Sequence, residues 1–224
     1  MMAVIVWPAG LLRPVEGSFF IRNISRSGGV SLNGVEQVLT STASWWEISL
    51  TLSREFDGER LKAFEAYISR MRGRQNVAAI PLCDPYRYGA KVSPLQQPWS
   101  DGTYFSDGTG WVDGTASQPM TVVNAAGVGS RFLTFKLTQP VRPALRLGDM
   151  FSINGFLYRV TSAGGNDIYF EPPLRQAIPA GQVIQTDPPV FYGRFATDDE
   201  GRRSRELMRW GGQTTLTLIE AFDR

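Results

Sequence analysis

An Asp-Gly-Thr triplet occurs three times in the segment SDGTYFSDGTGWVDGT, at residues 101–103, 107–109 and 113–115. Carboxylates near one another could bind calcium, and carboxylates beside aromatic rings could bind a sugar. Calcium needs roughly six to eight oxygens around one point, and no closing Glu follows the triplets. Asp residues with this spacing would lie on the order of 20 Å apart in an extended chain. The spacing therefore disfavours calcium, and no metal site is predicted.

The same triplets are typical of tight turns. An Asp side chain accepts a hydrogen bond from its own backbone two residues on, and Gly tolerates a positive φ. Three such turns, with aromatic residues between them, would form a compact ribbon pinned by large side chains. Aromatic residues are also favoured in protein interfaces. We predict that this segment packs on protein, partly at a subunit interface, through Trp99, Tyr104, Phe105 and Trp111.

The composition excludes several kinds of catalytic site. The 224 residues contain no histidine and one cysteine, Cys83. Ser-His-Asp and Cys-His arrangements, His-liganded metals and disulfides within the chain are therefore impossible. We predict no catalytic residue, no cofactor and no enzymatic activity. A glycosidase that uses two carboxylates remains the catalytic alternative, although no sequence pattern identifies which two carboxylates would act.

The charge balance gives no sign of a nucleic-acid partner. Twenty-three basic and 21 acidic residues leave a formal charge of only +2. Two basic runs, RMRGR at 70–74 and GRRSRE at 201–206, are interpreted as solvated faces, as is the acidic tip at 198–200. No segment reaches the roughly 20 apolar residues of a membrane helix, so no membrane insertion is predicted.

The N-terminal region is predicted to be β-structure followed by one helix. Asn33-Gly34 suits a two-residue hairpin turn, and the segment 41–56 alternates apolar and polar residues as a half-buried strand does. The alternating apolar positions are Trp46, Ile48, Leu50 and Leu52. Adjacent strand residues point to opposite faces, so Trp45 is predicted to lie on the outer face, under another element or subunit.

A helix is predicted over residues 57–72. Asp57 suits the N-cap, and Gly73 suits a left-handed stop. Helical spacing predicts a buried stripe of Leu61, Phe64, Ile68 and Met71.

The rest of the chain predicts a second β-module inserted into the first. Short apolar runs with close turns, including Asn154-Gly155, indicate a small barrel or sandwich over 121–187. The terminal strand TTLTLIEAF needs a partner, which the N-terminal sheet provides. The predicted fold class is mainly β: a β-sandwich core with one α-helix, plus an inserted barrel-like module. The predicted domains are a core at 1–95 and 188–224, an Asp-Gly-rich loop at 96–120 and a module at 121–187.

Three pieces of sequence resemble a known family. WWEISLTL, followed by ERLKAFEAYISRMRGRQ and VAAIPL, resembles the core of tailed-phage distal tail and minor tail proteins. GDMFSINGFLYRVTSAGGNDIYFEPPLRQAIPAGQVIQTDPP resembles a small β-module of phage tail proteins, and TLTLIEAF resembles the family's closing strand. The matched pieces and their connections cover roughly two thirds of the chain.

The resemblance implies a structural virion protein at the tail tip. It implies a homohexameric ring, with a trimer as the alternative, that joins the tail tube protein to the tail hub protein, the baseplate or the fibres. The implied location is the virion tail, after assembly in the host cytoplasm. The alternative is a carbohydrate-binding module that reads a host surface receptor through the aromatic residues at 99–111. The candidate interface residues are Trp45, Trp99, Tyr104, Phe105 and Trp111.

Overall fold

The computed structural model describes residues 2–82, 95–97, 99–107, 110–113, 120–136, 145–186, 188–206 and 210–223. Only the backbone is described at 42, 95–97, 111–113, 206 and 210. Contacts divide the chain into two units. Unit 1 comprises Met1–Leu82, Gly155–Leu157 and Val190–Arg224, and unit 2 comprises Cys83–Asn154 and Tyr158–Pro189. The domain boundaries drawn from the sequence stay predictions.

The described residues form one helix and sixteen strands. In chain order these are β1 (Val4–Val6), β2 (Pro14–Val30), β3 (Glu36–Leu52), α1 (Gly58–Met71), β4 (Val77–Pro81), β5 (Leu95–Gln97), β6 (Trp111–Asp113), β7 (Met120–Val122), β8 (Phe132–Lys136), β9 (Met150–Ile153), β10 (Phe156–Gly164), β11 (Asp167–Glu171), β12 (Val183–Ile184), β13 (Val190–Phe195), β14 (Arg205–Glu206), β15 (Trp210–Gly211) and β16 (Thr214–Glu220). The predicted fold class, mainly β with one helix and a barrel-like module, is confirmed. No helix in these ranges is long and apolar enough to cross a membrane.

Unit 1 contains a six-stranded sheet in the order β1-β4-β13-β16-β3-β2. The β1–β4 pair is parallel, and the other pairs are antiparallel. Leu216 pairs with Leu50 and Leu218 with Ile48, so the predicted pairing of the terminal strand with the N-terminal sheet is confirmed. The predicted alternation on β3 is confirmed as well, because four of its side chains are buried: Trp46, Ile48, Leu50 and Leu52.

The helix begins as its sequence predicts and ends one residue earlier. Asp57 Oδ1 accepts the backbone N–H of Glu59 at 2.9 Å, which confirms the N-cap. The left-handed cap is Arg72 (φ 50°), ahead of the predicted stop at Gly73. Three of the four stripe residues are buried: Leu61, Phe64 and Met71. The fourth, Ile68, is only half-buried and lies against the loop at Gly201.

The prediction of a solvated acidic tip at 198–200 is confirmed for Asp198 and Asp199, which are exposed, and wrong for the half-buried Glu200. Two of the three carboxylates also bond to backbone N–H groups. Asp198 Oδ1 accepts the backbone N–H of Arg74 at 3.0 Å, just beyond the end of α1. Glu200 Oε2 accepts the backbone N–H of Thr217 in β16 at 2.8 Å. Asp199 forms a solvent-exposed ion pair with Arg202, with Arg202 Nη2 and Asp199 Oδ1 2.6 Å apart. The tip therefore folds back and supplies acceptors to donors of unit 1.

Unit 2 contains a six-stranded sheet in the order β12-β7-β8-β11-β10-β9, which closes on itself. Ser152 of β9 and Gln185, directly after β12, exchange two backbone hydrogen bonds of 2.8 Å each. Their pairing joins the first and last strands into a barrel, so neither has a free edge there. The predicted hairpin turn at Asn154-Gly155 is confirmed, with φ values of 48° and 75°.

The barrel interior is filled by packed aromatic rings. Phe151 stacks on Tyr158 with ring centroids 5.5 Å apart, and it meets Phe170 edge-on at 5.6 Å. Phe135 adds a third contact to Phe151, also edge-on, at 5.6 Å. All four rings are almost completely buried. Such offset and edge-to-face contacts add to the stabilisation that comes from burial alone.

Candidate functional site

The β2–β3 hairpin extends beyond the sheet of unit 1. β3 pairs with β16 only over its last residues, from Glu47 to Leu52. Towards the tip, β2 and β3 pair with each other, from Arg22↔Trp45 to Val30↔Glu36, and no other strand of the described chain flanks them. We call residues 22–43 the hairpin arm.

The tip of the hairpin arm is a tight turn at the predicted Asn33-Gly34. Ser31 donates its backbone N–H to the Val35 carbonyl at 2.9 Å, and Gly34 donates to the Ser31 carbonyl at 2.9 Å. Gly34 has φ 76°, which a residue with a Cβ rarely adopts. The turn is longer than the predicted two residues, because β2 ends at Val30 and β3 begins at Glu36.

The hairpin arm buries neither face. Every residue from 22 to 41 is exposed, although successive strand residues point to opposite sides. Six of its exposed side chains are aliphatic: Ile24, Val30, Leu32, Val35, Val38 and Leu39. Its charged residues are only Arg22, Arg26 and Glu36. The arm is therefore an apolar ribbon with little charge.

An ion pair lies where the hairpin arm joins the sheet. Arg22 Nη2 donates to Glu47 Oε1 at 3.1 Å, and Arg22 Nε donates to the other carboxylate oxygen. These hydrogen bonds, together with the charge attraction, raise the pKa of Arg22. The bidentate geometry fixes the relative position of β2 and β3 at this point.

The second candidate surface is a turn between β5 and β6, which pair from Leu95↔Asp113 to Gln97↔Trp111. Trp99 donates its backbone N–H to the Thr103 carbonyl at 2.8 Å. Asp101 Oδ1 accepts from the Oγ1 and backbone N–H of Thr103, at 2.7 and 2.9 Å. The two Thr103 bonds lower the pKa of Asp101. The first Asp-Gly-Thr copy is therefore the predicted Asx turn.

The other two copies differ from the prediction of three turns. Asp113, which opens the third copy, lies in β6 and not in a turn, because it pairs with Leu95. Residues 108–109 of the second copy and 114–115 of the third lie outside the described residues. Where side chains are described, no group of three acidic, cysteine or histidine residues could hold a metal ion.

The candidate interface residues occupy different environments. Trp99 and Phe105 are 44% and 39% exposed, and their rings meet edge-on with centroids 5.5 Å apart. Tyr104 is 51% exposed. We call residues 99–105 the aromatic turn. Trp45 is half-buried beside the fully buried Trp46, as opposite faces require. A subunit contact through these residues stays a prediction, and the Trp111 side chain lies outside the described part.

The basic run at 201–206 has a structural role that its sequence pattern did not indicate. Arg203 Nε donates to the Gly212 carbonyl at 2.6 Å, and its guanidinium lies 5.2 Å from the centroid of the Phe64 ring. A further hydrogen bond joins Arg203 to the Ser53 carbonyl. Partial burial lowers the pKa of Arg203. The interpretation of this run as a solvated face is therefore wrong for Arg203.

Against protein-family models and curated proteins, the chain shows no match. The hairpin arm, which has more exposed apolar side chains than the aromatic turn, was not predicted from the sequence. A signal was present, because RNISRSGGV in β2 lacks the strict alternation of a strand that covers a core.

Proposed function

We propose that this chain is a structural subunit of a ring at the tip of a phage tail, where the ring joins the tail tube to the distal hub or fibres. The observation that carries the proposal is the hairpin arm. An isolated two-stranded hairpin is marginally stable in water. Exposed aliphatic side chains on both of its faces favour cover by another molecule.

A second copy of the chain is the partner that the hairpin arm fits best. In a closed ring with head-to-tail contacts, each copy offers one arm and one surface that receives the arm of a neighbour. Every arm is then covered without any other protein. The low charge of the arm suits a protein contact better than a phosphate backbone, which requires clustered Lys and Arg.

The order and place of the ring rest on the family resemblance. The pieces WWEISLTL, ERLKAFEAYISRMRGRQ and TLTLIEAF support a distal tail subunit, with six copies in the ring and three as the alternative. We propose the tail tube protein and the tail hub protein as its neighbours, and the virion tail as its location. No catalytic step is part of this proposal.

The test of the ring is the mass of the assembled chain. We expect native mass spectrometry to give about 150 kDa, since six chains of 24.9 kDa assemble. Leu39→Asp places a charge on the hairpin arm and should leave monomers. Leu147→Asp is the matched control, because Leu147 is equally exposed but lies in unit 2. Assembly that survives Leu39→Asp, or a wild-type chain that stays monomeric at every concentration, would contradict the proposal.

The aromatic turn favours a second candidate function, the reading of a host carbohydrate. Trp99, Tyr104 and Phe105 are exposed close to the carboxylate of Asp101. Rings and a carboxylate could contact the apolar face and the hydroxyls of a sugar. Binding of host polysaccharide that is lost in Trp99→Ala or Trp111→Ala, in a chain that does not assemble, would favour this function over the ring.

A further inference from the structure

Two aromatic rings lie side by side on the outer face of the unit 2 barrel. Phe132 of β8 pairs directly with Tyr169 of β11, and their ring centroids are 5.1 Å apart. Phe132 is 40% exposed and Tyr169 is 53% exposed. Their neighbours Leu133 and Ile168 are buried, so strand alternation points the two large rings away from the barrel core.

Hydrogen-bonding groups flank the two rings. Asp167 Oδ1 accepts from Thr134 Oγ1 at 2.7 Å, and Glu171 Oε1 lies 3.3 Å from Arg131 Nη1. Asp167 and Glu171 are each two residues from Tyr169 on β11, so all three side chains share one face. Each carboxylate keeps acceptor positions beyond the bond it makes here. We call Arg131, Phe132, Thr134, Asp167, Tyr169 and Glu171 the aromatic strip.

The aromatic strip has the chemistry that recognises a neutral sugar chain. A hexose ring has an apolar C–H face that stacks on an aromatic ring, and hydroxyl groups that pair with carboxylates and guanidinium groups. The strip extends along β11 from Asp167 to Glu171, about 13 Å at ~3.3 Å per residue. Along the strip, the Asp167 carboxylate comes first, the two rings follow, and the ion pair of Glu171 and Arg131 comes last. This linear arrangement suits an extended oligosaccharide better than a single compact ligand.

The charges disfavour a single-stranded nucleic acid, the other ligand that stacks on exposed rings of a small barrel. Such sites combine aromatic rings with a positive groove that follows the phosphates. On β8, β11 and the residue before β8, Arg131 and Lys136 are balanced by Asp167 and Glu171. On the adjacent β10, Arg159 pairs with Glu171 and adds one positive charge, so a phosphate backbone would meet a net charge of only +1 on these three strands.

We propose that the aromatic strip is a binding site for neutral oligosaccharides. The ring proposed above rests on the hairpin arm, whereas this proposal rests on the unit 2 barrel, so different variants test the two. A cross-strand aromatic pair with a purely local role stabilises the sheet and binds no ligand. Measured binding separates the two roles.

The experiment is a titration of the full-length chain, labelled with ¹⁵N, with three probes: the neutral hexasaccharides of glucose, galactose and N-acetylglucosamine. We expect at least one probe to shift the backbone resonances of β8 and β11 and to saturate below about 5 mM, as a shallow site would. Tyr169→Ala should weaken this binding at least tenfold. Phe20→Ala is the matched control, because Phe20 has a similar exposure but lies on β2, outside both proposed sugar-binding surfaces. Tyr104→Ala tests the aromatic turn separately.

A second variant protects the test from a loss of folding. Asp167→Asn keeps the size of the side chain, and we expect it to weaken binding at least threefold with an unchanged melting temperature. The proposal is overturned if no hexasaccharide shifts β8 or β11. It is also overturned if Tyr104→Ala loses the binding while Tyr169→Ala keeps it, or if a thymidine oligonucleotide binds the strip more tightly than every sugar.

Discussion

The unit 2 barrel and the hairpin arm of unit 1 are both built from antiparallel strands, and they use their apolar residues in opposite ways. In the barrel, the bonds between Ser152 and Gln185 close six strands around buried aromatic rings. In the hairpin arm, two strands pair with each other and leave their aliphatic residues in water. The number of strands that meet, and not the residue types, decides whether a β-surface is covered.

The difference has an energetic consequence. Full burial of one Val, Leu or Ile side chain contributes about 1.5–3 kcal/mol relative to exposure. The barrel gains this contribution within one chain, whereas the six aliphatic residues of the hairpin arm can gain it only from a partner. Part of that gain offsets the freedom that is lost on association. The barrel should therefore determine stability, and the arm should determine assembly.

The largest effect is expected in the barrel core. Phe151→Ala removes a ring that packs against three others and should lower the free energy of unfolding by about 3–5 kcal/mol, through lost burial and the cavity left behind. Urea unfolding followed by fluorescence measures the loss. Val38→Ala in the hairpin arm is the control and should change it by no more than about 0.5 kcal/mol. Equal losses in the two variants would remove the distinction between the regions.

A somewhat smaller loss is expected where the barrel closes. Gln185→Pro removes the N–H that donates to the Ser152 carbonyl and should cost about 1–3 kcal/mol, because that buried acceptor loses its partner. Gln185→Ala keeps the backbone N–H and is the matched control. If the two variants have the same urea midpoint, the closing bond does not contribute measurably and the barrel behaves as an open sheet.

Shortening the hairpin arm should hardly change the stability of the monomer. Replacement of residues 26–39 by Asn-Gly joins the paired residues Ser25 and Thr40 through a two-residue turn. We expect the unfolding free energy of the monomer to change by less than about 1 kcal/mol, because no buried side chain is removed. Sedimentation velocity should show that assembly is lost. A strongly destabilised monomer would show that the arm supports its own unit.

The smallest effect is expected from an exposed ion pair in unit 1. Arg205 Nε donates to Glu65 Oε1 at 2.7 Å, and this bonding lowers the pKa of Glu65. The unfolded state then binds the proton more readily, so the pair stabilises the fold above the ordinary glutamate pKa, and this stabilisation is lost as the pH falls through the lowered value.

The measurement is the urea midpoint of Glu65→Gln against wild type between about pH 7 and pH 3. We expect a small deficit at neutral pH that disappears in acid, with Glu16→Gln, an exposed carboxylate of β2, as the control. A deficit that persists at the acid end would assign the effect to packing rather than charge. The result would show how little a surface ion pair adds to the free energy of unfolding in comparison with the buried core of the closed barrel.

Local patterns predicted much of the fold. The alternation from Trp46 to Leu52, the cap at Asp57 and the turn at Asn154-Gly155 all depend on neighbours within a few residues. The predictions failed where a distant segment supplies the partner. Glu200 is half-buried because its carboxylate accepts the backbone N–H of Thr217 in β16. Arg203 is half-buried where it meets the Gly212 carbonyl and the Phe64 ring.

The candidate site was harder to predict than the fold. The Asx turn at Asp101 could be predicted, because its acceptor and donor are two residues apart. The exposure of the hairpin arm could not, because its sequence does not state that β16 pairs with β3 only from Glu47 onward. The aromatic strip was missed for a similar reason, since Phe132 and Tyr169 become neighbours only through the pairing of β8 with β11.

The sequence alone determined the mainly β character of the chain, the helix that follows Asp57, the turns and the absence of histidine chemistry, because composition and short-range periodicity control these properties. Only the tertiary structure decided which β-surfaces are covered. A β-surface is covered only when strands far apart in the chain meet, as β9 and β12 do around the barrel. The hairpin arm has no such strand in the described chain, so its apolar side chains remain available to a partner.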